Sequence, residues 1–182
     1  MKMADGGFRP AYNAQFATAS VGGVIVGVAV GDNGADSGQM PKMVTQIKER
    51  YEQAPQEVLV DGGFAVLADI QTVHEEHGVK VYAPVKDADK KRARGEDPFV
   101  TRPRDKEGVA AWRVRMGSAE AVGLYRERGA VAEWVNAGAR NRGLYQVRVR
   151  GRLKVLAVLL WQALAHNLVR AASLRASRAS GG

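Results

Sequence analysis

The chain has 182 residues, 46% of them hydrophobic, which is enough for a packed core and argues against a disordered protein. It contains no cysteine, so a disulfide framework, a thiolate nucleophile and a cysteine-ligated metal site are all excluded. The formal net charge of +8 points to a polyanionic partner, most simply nucleic acid.

The elements are read in chain order. Residues 1–9 are polar and glycine-containing, with no apolar run that would make a signal peptide. Residues 12–19 alternate well enough for a strand, and the β-branched run at 24–30 reads as a buried one. Gly22-Gly23 between them marks a hairpin turn. Residues 32–38 are rich in turn formers, and Ser37 is placed to cap a helix over 39–53, whose face is Met40, Met43, Val44, Ile47 and Tyr51. Pro55 closes it. A short apolar strand at 58–60 then ends on Asp61, followed by Gly62-Gly63. Val66, Ile70 and Val73 set up a second helix that Gly78 terminates, and residues 79–84 form a fourth strand. This order of strands and helices is an α/β pattern with at least one crossover.

The second half differs. Residues 85–106 are charged, contain Pro98 and Pro103, and read as an exposed, mobile insertion. Residues 109–116 and 119–141 read as helices, the second with an apolar stripe of Val122, Tyr125, Ala132 and Val135. Residues 145–149 alternate apolar and basic side chains and suggest a short extended piece. A last helix spans 153–174, with Leu156, Leu159, Leu160, Leu164 and Leu168 as expected core; its apolar run is too short to span a bilayer. Residues 175–182 read as a disordered basic tail. The basic charge is concentrated late: Arg140, Arg142, Arg148, Arg150, Arg152 and Lys154 share one segment, and no Asp or Glu follows Glu133.

Two carboxylates stand out as candidate chemistry. Asp61 closes a strand where α/β domains place their sites, although Asp-Gly is also ordinary turn chemistry. Glu133 lies mid-helix and shares a face with Asn136 and Arg140, which fits either a surface pair or a carboxylate directed at a site. Two such carboxylates can hold divalent ions that activate a water or 3′-hydroxyl and stabilise a leaving oxygen. His74 and His77 lack the spacing of a histidine metal motif, and His166 on the apolar last helix reads as a satisfied core histidine.

These pieces also occur in a known order: residues 9–15 (RPAYNAQ), the strand at 24–30, Asp36 with Gly38-Gln39, residues 60–64 (VDGGF), residues 81–84 (VYAP), Tyr125 with Arg128 and Glu133, residues 141–144 (NRGL) and residues 164–168 (LAHNL). Together they resemble the catalytic domain of DDE transposases of bacterial insertion sequences, over nearly the whole chain. The resemblance implies an RNase H-like α/β fold, a mixed sheet with flanking helices, and DNA transposition by metal-dependent phosphodiester cleavage and strand transfer at transposon ends. It makes Asp61 and Glu133 the second and third acidic ligands of the triad, with Mg²⁺, or Mn²⁺, as the ion. It assigns DNA contacts to Tyr125 and Arg128, and the basic segment adds Arg140, Arg142, Arg148 and Arg150. It implies self-association on DNA, no membrane, and a cytoplasmic, nucleoid-associated location.

The family's first aspartate lies on a strand upstream of the residues matching 9–15. Asp5 has no strand before it, and Asp32 and Asp36 follow a different strand. The resemblance therefore implies a truncated copy: residues 1–174 as a partial catalytic domain lacking the first strand and the first Asp. A non-catalytic DNA-binding remnant is the alternative.

Overall fold

The computed structural model describes residues 11–31, 34–144 and 146–180, and the side chains of residues 127–133 and 180 lie outside that description. In chain order the elements are β1 (Asn13–Thr18), β2 (Ile25–Gly31), α1 (Gln39–Tyr51), β3 (Glu57–Leu59), a 3₁₀ turn (Gly62–Phe64), α2 (Leu67–His77), β4 (Lys80–Tyr82), α3 (Ala88–Ala93), α4 (Glu107–Met116), α5 (Ala119–Asn141) and α6 (Arg152–Ser180). The protein is thus mixed α/β. It divides into two units, Met1–Gly34 with Ala130–Gly182, and Ala35–Gly129. Among the described residues the strands pair two by two, β1 with β2 and β3 with β4, where the sequence pointed to one mixed sheet.

The first unit is built on the β1–β2 hairpin. The strands pair antiparallel from Asn13↔Gly31 through Phe16↔Val28, with a break in register at Ala17/Thr18. The turn needs two positive φ values, 79° at Gly22 and 63° at Gly23, which only glycine adopts without strain. The core combines Ile25 and Val28 of β2 with Val135 of α5 and Val155, Leu159 and Ala163 of α6. No strand forms over 146–150, yet the alternation there still sorts the side chains. Val147 and Val149 pack on the core while Arg148 and Arg150 are exposed.

Helix α6 departs from expectation twice. It continues to Ser180, through residues expected to be a tail. Its buried face is Val155, Leu159, Ala163 and His166, whereas Leu160, Leu164 and Leu168 are 42%, 48% and 63% exposed. A nearly continuous apolar run carries no phase, so the sequence could not say which leucines turn inward. By length and composition alone α6 is long and apolar enough to cross a membrane, where the sequence reading took its apolar run to be too short.

The second unit has a parallel β3–β4 pair, with Glu57↔Lys80, Val58↔Val81 and Leu59↔Tyr82 in register. Helix α2 makes the crossover. Its C-terminus closes on Gly78, whose amide donates to the His74 carbonyl at 2.9 Å. The core joins Met40 and Val44 of α1, Ile70 and Val73 of α2, Val79, Val81 and Tyr82 around β4, and Val109, Trp112 and Met116 of α4. Two polar residues lock this core. The Trp112 indole donates to the Ala83 carbonyl at 3.0 Å, and the buried Gln71 accepts from the Val109 amide in the first turn of α4 at 3.3 Å.

Residues 85–106 are not the plain loop that their charge suggested. They contain α3, Val85 and Pro98 are buried, and Phe99 packs against the core. Near the end of the segment Asp105 meets Arg113 of α4 in a buried ion pair, Nε to Oδ2 at 2.6 Å. Segment and core are joined at both ends by apolar contact and a paired charge, features that a count of charged residues does not reveal.

Candidate active site

Asp61 sits where β3 leaves the sheet. The Val60 amide still donates to the Tyr82 carbonyl at 2.9 Å, and the chain then turns through Gly62–Phe64. Asp61 caps that turn: its Oδ1 accepts from the Gly63 amide at 3.0 Å. The side chain is half-buried and the two glycines after it are exposed. The expectation that Asp61 ends a strand beside an open turn therefore matches the geometry.

A second carboxylate converges on the same turn. A Cβ placed on Gly63 would lie 2.6 Å from Oδ2 of Asp36 and 3.2 Å from Oδ1 of Asp61. Only a residue without a side chain leaves room for both oxygens. Asp36 comes from the loop ahead of α1. That loop is fixed by the buried carboxylate of Asp69 on α2, whose Oδ2 accepts from the Gly38 amide at 2.6 Å. The bond also replaces the cap expected of Ser37, since the residue at the N-cap is Gly38 with φ 75°.

Tyr125 and Val122, read from the sequence as a core stripe of α5, instead line a cavity of about 630 Å³ with Pro84, Phe99 and Arg126. The buried face of this part of α5 is Ala121, with Leu124 beside it. Pro84 connects the cavity to the Asp61 turn, because a Cβ on Gly62 would lie 3.5 Å from its Cγ. Lys90 and Arg92 of α3 also face this cavity. Each is paired: Lys90 with Asp87 at 3.1 Å, which holds the Asp87 carboxyl below its ordinary range, and Arg92 with Asp89 at 3.8 Å. Nearby, burial and then the Glu57 carboxylate push the Tyr82 hydroxyl above its usual value, so it stays neutral and donates to Glu57 at 3.4 Å.

The remaining sequence candidates fall mostly in the first unit. Glu133 lies on α5, as does Arg128, and both side chains are outside the described ones; Asp5, Asp32 and Tyr145 are outside the described residues altogether. Arg140 is exposed near the end of α5, and the exposed Arg142 reaches back to the Gly138 carbonyl at 3.4 Å. Arg148 and Arg150 are exposed on the extended stretch that follows.

Next to Glu133 in sequence, the exposed Trp134 is contacted by two polar side chains of α6. The His166 ring meets it edge-on at 5.0 Å, and the Arg170 guanidinium lies over it at 4.7 Å. The same face of α6 binds the hairpin. His166 Nε2 donates to the Gly23 carbonyl at 2.8 Å and Arg170 Nε to the Gly22 carbonyl at 2.9 Å. Asn167 bonds both the amide and the carbonyl of Ile25, at 2.7 and 2.8 Å. His166 is thus the satisfied core histidine expected, but the roles of Trp134, Asn167 and Arg170 were not read from the sequence.

Among the described residues no group of three or more His, Asp or Glu side chains converges. His77 contacts Thr45 Oγ1 through Nε2 at 3.1 Å. The Asp36–Asp61 pair has the right donors for a hard divalent ion, which takes one or two carboxylates and completes its shell with water and substrate phosphate.

A family model described as a transposase DDE domain matches residues 2–168. Neither the curated proteins nor the solved structures contain a match to the chain.

Proposed function

We propose that this chain, which belongs to the DDE transposase family, serves DNA transposition by metal-dependent cleavage and strand transfer at transposon ends, with Asp61 and Glu133 as two of the acidic ligands that the reaction needs. We assign it an RNase H-like arrangement, with catalysis in residues 1–174. The observation that carries the reading is Asp61 just past the end of β3, where its carboxylate caps the turn at Gly62–Phe64.

Asp61 and Glu133 are the carboxylates that would hold Mg²⁺ or Mn²⁺. Bound there, the ion supplies an activated hydroxyl and charge for the leaving oxygen of a phosphodiester. The chain's own residues orient the DNA. Tyr125, on the wall of the cavity beside Pro84, and Arg128 contact the strand near the scissile phosphate. Arg140 and Arg142 offer guanidinium forks that suit phosphate geometry, and Arg148 and Arg150 extend the basic surface along the backbone. The partner is transposon-end DNA, on which copies of the chain associate, in the cytoplasm at the nucleoid.

The test uses a labelled transposon-end duplex in Mg²⁺. The reading predicts a new 3′-hydroxyl at the transposon end, lost in Asp61→Asn and in Glu133→Gln. Binding without any cleavage by the unaltered chain supports the non-catalytic DNA-binding alternative. Cleavage that survives both substitutions contradicts the assignment of these carboxylates.

A further inference from the structure

We infer that Arg170 is a phosphate-binding residue of the DNA interface, with its guanidinium set in place before DNA arrives; this rests on the reading of the chain as one that acts on DNA. The distribution of charge leads to it first. The sequence of the first unit has eleven Arg and Lys residues against three acidic ones, Asp5, Asp32 and Glu133, so the whole surplus of +8 belongs to that unit. Among its described residues every other Arg and Lys is exposed, and Arg170 alone is half-buried. The ion pairs among the described residues all lie in the second unit, so none of them neutralises Arg170.

Two contacts fix the guanidinium. Its Nε donates to the Gly22 carbonyl at 2.9 Å, and its Cζ lies over the Trp134 ring, 4.7 Å from the centroid. Arginine presents five N–H donors, and this carbonyl uses one of them. The four on the Nη atoms form the end of the fork that grips a phosphate through two parallel bonds. Holding a carbonyl does not require a charge, since Asn167 does the same for Ile25 with a neutral amide. A half-buried cation without a counter-ion has lost part of its hydration. The Trp134 face offsets some of that loss, and a phosphate offsets the rest. Trp134 follows Glu133 on α5, so the phosphate taken by Arg170 belongs to the part of the chain that carries that carboxylate. An arginine already ordered by the fold also loses less side-chain freedom on binding than Arg148 does on its exposed stretch.

The competing account is that Arg170 only ties the hairpin to α6. The experiment measures binding of the full chain to a fluorescein-labelled DNA duplex by anisotropy in EDTA, at several salt concentrations, with thermal unfolding alongside. Asn167→Ala is the reference, since it loosens the same hairpin without changing the charge. Arg170→Gln is expected to lower the salt slope by about 0.9, the value of one phosphate contact, and to weaken binding by about fivefold or more, a larger loss than in Arg148→Gln. Arg170→Lys keeps the charge but not the fork or the stack. It is expected to keep the slope and recover only part of the affinity. An unchanged slope in Arg170→Gln overturns the proposal; if its affinity and unfolding temperature then match those of Asn167→Ala, the hairpin account replaces it. Full affinity in Arg170→Lys overturns the role of the fork, and this variant decides the matter if Arg170→Gln does not fold. Failure of the unaltered chain to bind the duplex, or binding that does not weaken with salt, overturns the reading of the chain as one that acts on DNA as well.

Discussion

At the scale of single residues, the buried pair Asp105–Arg113 gives the sharpest stability test. The hydrogen bond from Arg113 holds the Asp105 carboxyl below its ordinary range, against the opposing effect of burial. A depressed carboxylate value contributes stability that is present above the unfolded value and lost as pH falls through the folded one. Removing the arginine strands a buried carboxylate and should cost about 3 kcal/mol or more at neutral pH. Chemical denaturation of Arg113→Met across pH 3 to 7 checks both parts. The loss should shrink as the pH falls, because a protonated Asp105 no longer needs its partner. At this scale the sequence was readable where the signal is local. The turn at Asp61 was legible because strand, aspartate and glycines are contiguous. The approach of Asp36 to that turn was not, because it follows from the fixing of the Gly38 loop to α2, which no run of neighbouring residues encodes. The ion pair was hidden for the same reason, since a charged stretch looks solvated until its partner is known.

At the scale of elements, the hairpin and α6 form one mechanical unit through His166, Asn167 and Arg170. Asn167 meets both backbone groups of Ile25, in the manner of a neighbouring strand. Asn167→Ala leaves a buried strand residue without those partners and should destabilise the first unit by about 1–3 kcal/mol, read from the urea midpoint. Gly23→Ala should be worse than its small size implies. Its φ of 63° is strained for alanine, and the new Cβ would lie 3.1 Å from the Trp134 ring. Most helices and strands were visible from periodicity and from Gly and Pro punctuation. The inward face of α6 was not, because its apolar residues surround the helix.

At the scale of the whole molecule, the surplus of +8 is a statement about partners rather than fold. Its concentration beyond Glu133 leaves Arg148 and Arg150 exposed while their valine neighbours pack inward. Replacing both arginines by alanine should weaken DNA binding at every sequence and lower the salt slope by about 2, at roughly 0.9 for each phosphate contact. Titrations at several salt concentrations measure this directly. The family was legible from the order of short motifs along the chain. The division into two units and the pairwise grouping of strands were not, because motif order says nothing about which segments fold together. The central claim is that Asp61 serves phosphoryl transfer on DNA. The most direct measurement is joining of a pre-cut, labelled transposon end to supercoiled plasmid in Mg²⁺. The account predicts joined product from the unaltered chain and none from Asp61→Asn at equal DNA binding. Joining that proceeds unchanged in Asp61→Asn, or none from the unaltered chain, would contradict it.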